Sequence, residues 1–353
     1  MSDQPVISLT DPRRYGDGAH PWLALDAAAL AQAARAACAG GADAEIAAAL
    51  AAAPSQRDYA RLWQAVCDAA HGTGGEAAGV VARFFALPLV IVTGARHPLE
   101  LAGALPDVDA VCRLFTDKGT LGLTRNFGLG NALCALETLE AVRPSEIHAW
   151  TAAAGALRRE LPPAPLVVAK PGEEVHLRFL VGAAIGPAHE PPFVETASNI
   201  GAWGMDLTRL LAAQLAPAGV EVLPIPRPPA DLLRAAHPGR TAQLETAASL
   251  FASNAVRRFR MTGGEPVAIL SVHDDADLRL TLSQPFDDSM VEGFRWPLHP
   301  LDDLAAVAAM LGELLGDCRL ARIEVAPRVL PARHVQGHDW YPTVRDWPQL
   351  AAH

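Results

Sequence analysis

Apolar residues recur along this chain with two different periods, and the change from one to the other marks out its organisation. Over residues 26–70 the spacing is helical: Tyr59, Leu62, Trp63 and Val66 fall at i, i+3, i+4 and i+7 and form one stripe. Asp26 and Asp43 stand where N-caps belong, and Gly40, Gly41 and Pro54 stand where helices stop. Ser55 with Asp58 has the form of a capping box. Three helices are therefore predicted in a helical domain at 21–83, behind a polar, turn-rich arm at 1–20. Its alanines allow close helix packing but bury little area each. Tyr59, Trp63 and the leucines must supply most of the hydrophobic stabilisation.

Beyond residue 83 the pattern changes to strand-like runs, of which FFALPLVIV at 84–92 is the most apolar. PLVVAKPGEEVHLRFLVG at 165–182 aligns without gaps on PVAILSVHDDADLRLTLS at 266–283. Each segment predicts a β-hairpin: an apolar strand, an acidic turn (Glu173-Glu174 or Asp274-Asp275) and a strand of period two. Leu177, Phe179 and Val181 face one side, matched by Leu278, Leu280 and Leu282, while Arg178 and Arg279 point outward on the other. The correspondence extends to ALRR at 156–159 and AVRR at 255–258, and to Val194-Glu195 with Trp203 against Val291-Glu292 with Trp296. Each tryptophan leads into an amphipathic helix (206–216; 302–315) and then a short strand (220–224; 323–327). A looser match joins 87–106 to 220–239.

The predicted fold class is thus α+β: an N-terminal helical domain followed by two tandem duplicated α+β sandwich modules with mainly antiparallel sheets. The first copy spans 84–224 with an insertion at about 115–145, the second spans 220–330, and 331–353 form an aromatic and histidine-rich tail.

Composition narrows the functional classes. A chain of 353 residues, half of them hydrophobic and 19% charged, has length for two or three cores and belongs with folded globular proteins. A net charge of −10 argues against duplex nucleic acid and anionic membrane surfaces as partners. The apolar run at 84–92 is too short to span a bilayer, and the N-terminus lacks the basic start and apolar core of a signal peptide. The five cysteines are odd in number and contain no C-x-x-C, which suggests neither a disulfide framework nor a zinc site. A cytoplasmic location is expected, and the alanine-rich, arginine-over-lysine composition suits a high-GC bacterium.

Candidate chemistry is sparse. DKGTLGLTRNFGLGN at 117–131 reads as a loop opening a helix at 130–141; the plainer reading is an irregular connector whose glycines permit tight turns, and the alternative is that backbone N–H groups with Lys118, Arg125 and Asn126 bind an anion. It is not a Walker-type loop, because Lys118 precedes the glycines. Arg178 and Arg279, repeated on equivalent faces, can join in gripping an anionic ligand between the copies. In the tail, His334, His338 and Asp339 offer two imidazoles and a carboxylate to a metal, or a general base pair. Gly337 argues against the helix that would align the two histidines. The plainer reading is a tail that packs aromatic rings over another surface. HGTGGEAAG at 71–79 reads as a helix end and turn, and His273–Asp277 as a hairpin turn lacking the glycine and distal glutamate of a calcium loop.

No nucleophile, base and orienting group stand out together, and no cofactor is implied. The leading expectation is a cytoplasmic, non-catalytic binding or scaffold protein with a protein partner. The alternative is an enzyme or sensor that takes a small anionic or nucleotide ligand in the groove between the modules. A metal-dependent hydrolase using the tail residues ranks third.

Overall fold

The structure, a computed structural model, describes residues 9–346 apart from 14, 73–78, 95–98, 125, 153–160, 165, 169–173, 188–189, 217–219, 286–289, 321 and 336. It divides into two units, residues 16–243 and residues 1–15 with 244–353.

The first unit opens with α1 (Ala27–Gly40), α2 (Asp43–Ala51) and α3 (Gln56–Ala70). Asp26 Oδ1 accepts from the Ala29 N–H at 2.8 Å. Ser55 Oγ accepts from the Asp58 N–H at 3.1 Å and donates to its carboxylate at 2.6 Å. Asp43 sits one residue inside its helix, whose N-cap is Ala42, and its charge there favours the helix N-terminus.

Next come β1 (Val80–Thr93), β2 (Leu99–Leu101), α4 (Val108–Asp117), β3 (Asn126–Cys134), α5 (Leu136–Glu140) and α6 (Pro144–Ala152). They are followed by β4 (Leu166–Val168), β5 (Val175–Pro187), α7 (Glu195–Ser198), α8 (Gly204–Leu215), β6 (Val222–Pro226) and β7 (Ala230–Asp231). The sheet runs β3-β5-β1-β6 with every pairing antiparallel, and β7 also pairs with β1. β1 is apolar throughout its centre because both its faces are covered. Phe84, Val90 and Phe179 pack with Leu30 of α1 and Leu62 and Val66 of α3. Leu87, Leu89 and Leu180 pack with Phe115 of α4 and Trp203, Leu207 and Leu211 around α8. The predicted helical region therefore shares a core with the sheet.

α9 (Leu232–Met261) runs through the division between the units. In the second unit follow β8 (Val267–His273), β9 (Asp277–Ser283), β10 (Val291–Pro297), α10 (Leu304–Asp317), β11 (Ile323–Val325), β12 (His334–Val335) and β13 (His338–Asp339). The sheet order is β10-β9-β8-β11, with β11 parallel to β8. One face carries Leu270, Val272, Leu278, Leu280 and Leu282 against Phe259 of α9 and Leu311 of α10. The arm belongs to this unit: Leu9 packs against its core, and Arg13 Nη1 donates to the carbonyls of His299 at 2.6 Å and Asp302 at 2.8 Å.

The α+β class holds, with mainly antiparallel sheets, but the two units do not repeat one topology. Only 266–283 forms the expected hairpin, β8 against β9. In 165–182, β4 pairs with β2 while β5 pairs with β1 and β3, so the aligned strands part company; Glu173 lies outside the described residues. Val194-Glu195 leads into α7, whereas Val291-Glu292 begins strand β10. The strand after α8 is antiparallel to its neighbour β1, and the strand after α10 is parallel to its neighbour β8. ALRR at 156–159 lies outside the described residues. Among those described, no helix is long and apolar enough to cross a membrane.

Candidate functional site

The glycine-rich stretch is not a loop before a helix. Asn126–Cys134 is strand β3, and the helix after it has five residues beginning at Leu136. Gly182 of β5 explains part of the glycine pattern, since a Cβ there would lie 2.6 Å from the Gly128 carbonyl and 2.5 Å from the Phe85 ring. The glycines of the stretch serve the backbone in separate ways: Gly119 takes a left-handed φ of 62° after α4, a Cβ at Gly122 would lie 2.7 Å from the Pro191 carbonyl, and Gly128 lies within β3.

Lys118 Nζ meets the Asp206 carboxylate at 2.5 Å. Asn126 pairs with Ile185 and Arg178 with Leu89, placing them seven residues apart along β5, about 23 Å at strand rise. Arg125 lies outside the described residues. Arg178 Nε donates to the Ala164 carbonyl at 3.1 Å and its Nη1 to that of Leu177 at 2.8 Å. Burial pushes its pKa down. Lys118, Asn126 and Arg178 therefore do not converge on one site.

The richest polar constellation is in the second unit, on the face of its sheet turned away from the leucines. Ser271 and His273 of β8 alternate with apolar neighbours, as do Asp277, Arg279, Thr281 and Ser283 of β9, and all six are buried. Arg279, expected to point outward, is fully enclosed. Its Nη2 lies 2.6 Å from Asp275, 3.6 Å from Asp277 and 3.9 Å from Asp339, and its Nη1 donates to the Trp340 carbonyl at 2.8 Å. The guanidinium also stands 5.8 Å from the Tyr341 ring centroid. Arg295 pairs with Asp277 and lies 3.6 Å from Asp339.

The tail provides much of the cover. It follows the edge of β8, where the Leu330 N–H donates to the Val272 carbonyl and the Asp274 N–H donates to that of Leu330. It then turns over the hairpin tip, where Asp274 accepts from the Ala332 N–H at 2.6 Å. Trp340 stands edge-on to His273 at 6.0 Å, and Tyr341 fills the space that a side chain at Gly293 would need. β12 and β13 form a small antiparallel pair in which His334 Nδ1 lies 3.2 Å from Asp339 Oδ1. His338 lies across from Val335. Among the described residues no group of three or more His, Cys, Asp or Glu side chains is placed to hold a metal. His334, His338 and Asp339 are thus not such a group, because Asp339 faces Arg279, Arg295 and His334 and anchors the tail.

Ser271 Oγ and His273 Nε2 lie 3.0 Å apart, a nucleophile–base distance that sequence reading missed. The available signal was the period-two row Ser271, His273 and Asp277, Arg279, Thr281, Ser283, read as an outer face because it opposes the leucines. Both groups of the pair are closed to substrate. Burial and the Arg279 charge push the imidazole down to about 4, so it is neutral and a weak base. Among the described residues no carboxylate is hydrogen bonded to it, and its other hydrogen bond is to the Pro331 backbone. Three of the five cysteines fare no better as nucleophiles: burial raises Cys38 and Cys134 to about 11 and Cys67 to about 12.

Comparison with family models, with curated proteins and with solved structures returned no match to this chain.

Proposed function

We propose that the protein is a binding protein without a catalytic step of its own, which engages a protein partner through its first unit. The observation that carries the reading is a set of apolar side chains left in water around one ion pair. Leu123 is 67% exposed and Met205 63% exposed, and Val194 is exposed as well. Backbone pairing joins the segments that carry Leu123 and Val194, with the Gly122 N–H donating to the Pro192 carbonyl and the Val194 N–H to that of Thr120, both at 3.0 Å, and Lys118 beyond the end of α4 reaches Asp206, the neighbour of Met205 in sequence. Single apolar residues on a surface need no explanation, but three on segments linked by backbone pairing and an ion pair have the composition of an interface. None of the five cysteines forms a disulfide, which suits a reducing, cytoplasmic setting.

The test is native isolation of partners on a tagged chain, with Leu123→Asp/Met205→Asp as the comparison. Proteins held by the wild type and lost by the double variant support the proposal. Identical sets on both would remove it.

A further inference from the structure

Four helices in this chain end in the same way. After α1, α4 and α9, an N–H two or three residues beyond the end reaches back five residues: Ala42 to Ala37, Thr120 to Phe115, Gly264 to Phe259. The residue just before it takes a left-handed backbone, and in all three it is glycine: Gly41 at φ 71°, Gly119 at φ 62° and Gly263 at φ 82°. A Cβ at any of the three would meet nothing within 4 Å, so glycine is there for its backbone freedom and not for space. The end of α10 closes identically, with the Leu320 N–H on the Leu315 carbonyl at 3.2 Å and the Arg319 N–H on that of Gly316 at 2.8 Å. Yet the left-handed position, at φ 58°, is Arg319. An arginine there costs backbone free energy that glycine does not, and strain retained against the chain's own habit points to work for the side chain.

That side chain has no hydrogen-bonded or charged partner among the described residues. It lines an open surface depression of about 580 Å³ where α9 and α10 end, wide enough for a small ligand to lie in with one side in water. Arg257 and Arg260 line the same depression, with Val256 and Met261 as apolar wall. Met261 is 81% exposed. Two groupings oppose an anion: Asp317, also in the lining, and the negative ends of the two helix dipoles, worth roughly half a charge each. Arg260 in addition meets Glu265 at 3.3 Å, a solvent-exposed pair that competes weakly. Arg257 and Arg260 lie in the last turns of α9, where the dipole itself favours cations, but Arg319 stands beyond its helix and needs another reason.

We propose that Arg257, Arg260 and Arg319 bind a small phosphorylated ligand whose apolar portion lies against Val256 and Met261. Guanidinium forks match phosphate oxygens in pairs, and a phosphorylated group carries enough charge to outweigh Asp317 and the helix ends. This site is separate from the surface around Leu123, so either can fail without the other.

The experiment titrates inorganic phosphate, pyrophosphate and ATP into the full chain at near-physiological salt, with Arg319→Gly beside the wild type. The wild type is expected to bind pyrophosphate or ATP saturably. Arg319→Gly is expected to melt about 2 °C higher without ligand, since it relieves the backbone, and to bind at least tenfold more weakly. The opposite signs of the two effects separate loss of the site from loss of the fold. A wild type that binds none of the three overturns the proposal, as does a variant that binds equally well or melts no higher.

Discussion

At the residue scale, the second unit uses its polar side chains to close itself. Arg279 has three carboxylates within 4 Å, and the tail's backbone and aromatic ring complete its surroundings. The period-two reading placed Arg279 opposite the leucines correctly, and it called that face outer because nothing local in β9 announces a cover arriving from residues 326–341. Buried His273 gives this arrangement a pH signature. Its folded pKa, about 4, lies below the ordinary 6.5, so between those values the unfolded chain holds a proton that the folded chain lacks. Stability is then complete above pH 6.5 and falls as pH drops, by about 1 kcal/mol per pH unit once the unfolded histidine is mostly charged. His71, also lowered by burial, acts in the same direction. Asp277 is raised by burial and works against it above pH 3.8, so wild type and variant are compared at each pH, where the carboxylate contribution is common to both. Denaturant titrations between about pH 6.5 and 5 should show a shallower slope for His273→Gln; an unchanged slope would falsify a neutral, enclosed imidazole.

At the element scale, what the sequence disclosed was whatever depends on near neighbours. The stripe of α3, the caps at Asp26 and Ser55, the helices after Trp203 and Trp296 and the β8–β9 hairpin all follow from spacing and turn chemistry. β4 and β5 did not, because an apolar strand, an acidic turn and an alternating strand describe many hairpins, and pairing is decided by distant partners. β5 finds β1 on one side and β3 on the other, which leaves β4 to β2. The glycines of 117–131 misled for a related reason: glycine serves close strand approach as well as loops. Gly182→Ala should cost about 2 kcal/mol in chemical denaturation, because its Cβ would meet the Gly128 carbonyl and the Phe85 ring at 2.6 and 2.5 Å. Gly128→Ala, whose Cβ meets nothing within 4 Å, is the matched control. Equal losses in the two variants would rule out strand crowding as the reason.

At the scale of the molecule, a chain of net charge −10 folds as two units, each with a helix-covered sheet, and its chemistry-bearing residues are mostly engaged within them. Arg178 serves backbone carbonyls, Asp339 anchors the tail, and the Ser271–His273 pair is sealed. The proposed binding surfaces among the described residues are the exposed apolar side chains Leu123, Val194 and Met205, and the three arginines where α9 and α10 end. In the sequence, binding is favoured over catalysis because no nucleophile, base and orienting group stand out together, while the location of either surface depends on which side chains the fold leaves uncovered. The most direct measurement is photo-crosslinking in cells from a reactive residue installed in place of Met205. The control position is Gly40, which is exposed at the end of α1 on the opposite helical layer. Discrete protein adducts from position 205 that are absent from position 40 are the predicted result. The same adducts from both positions, or none from position 205, would contradict it.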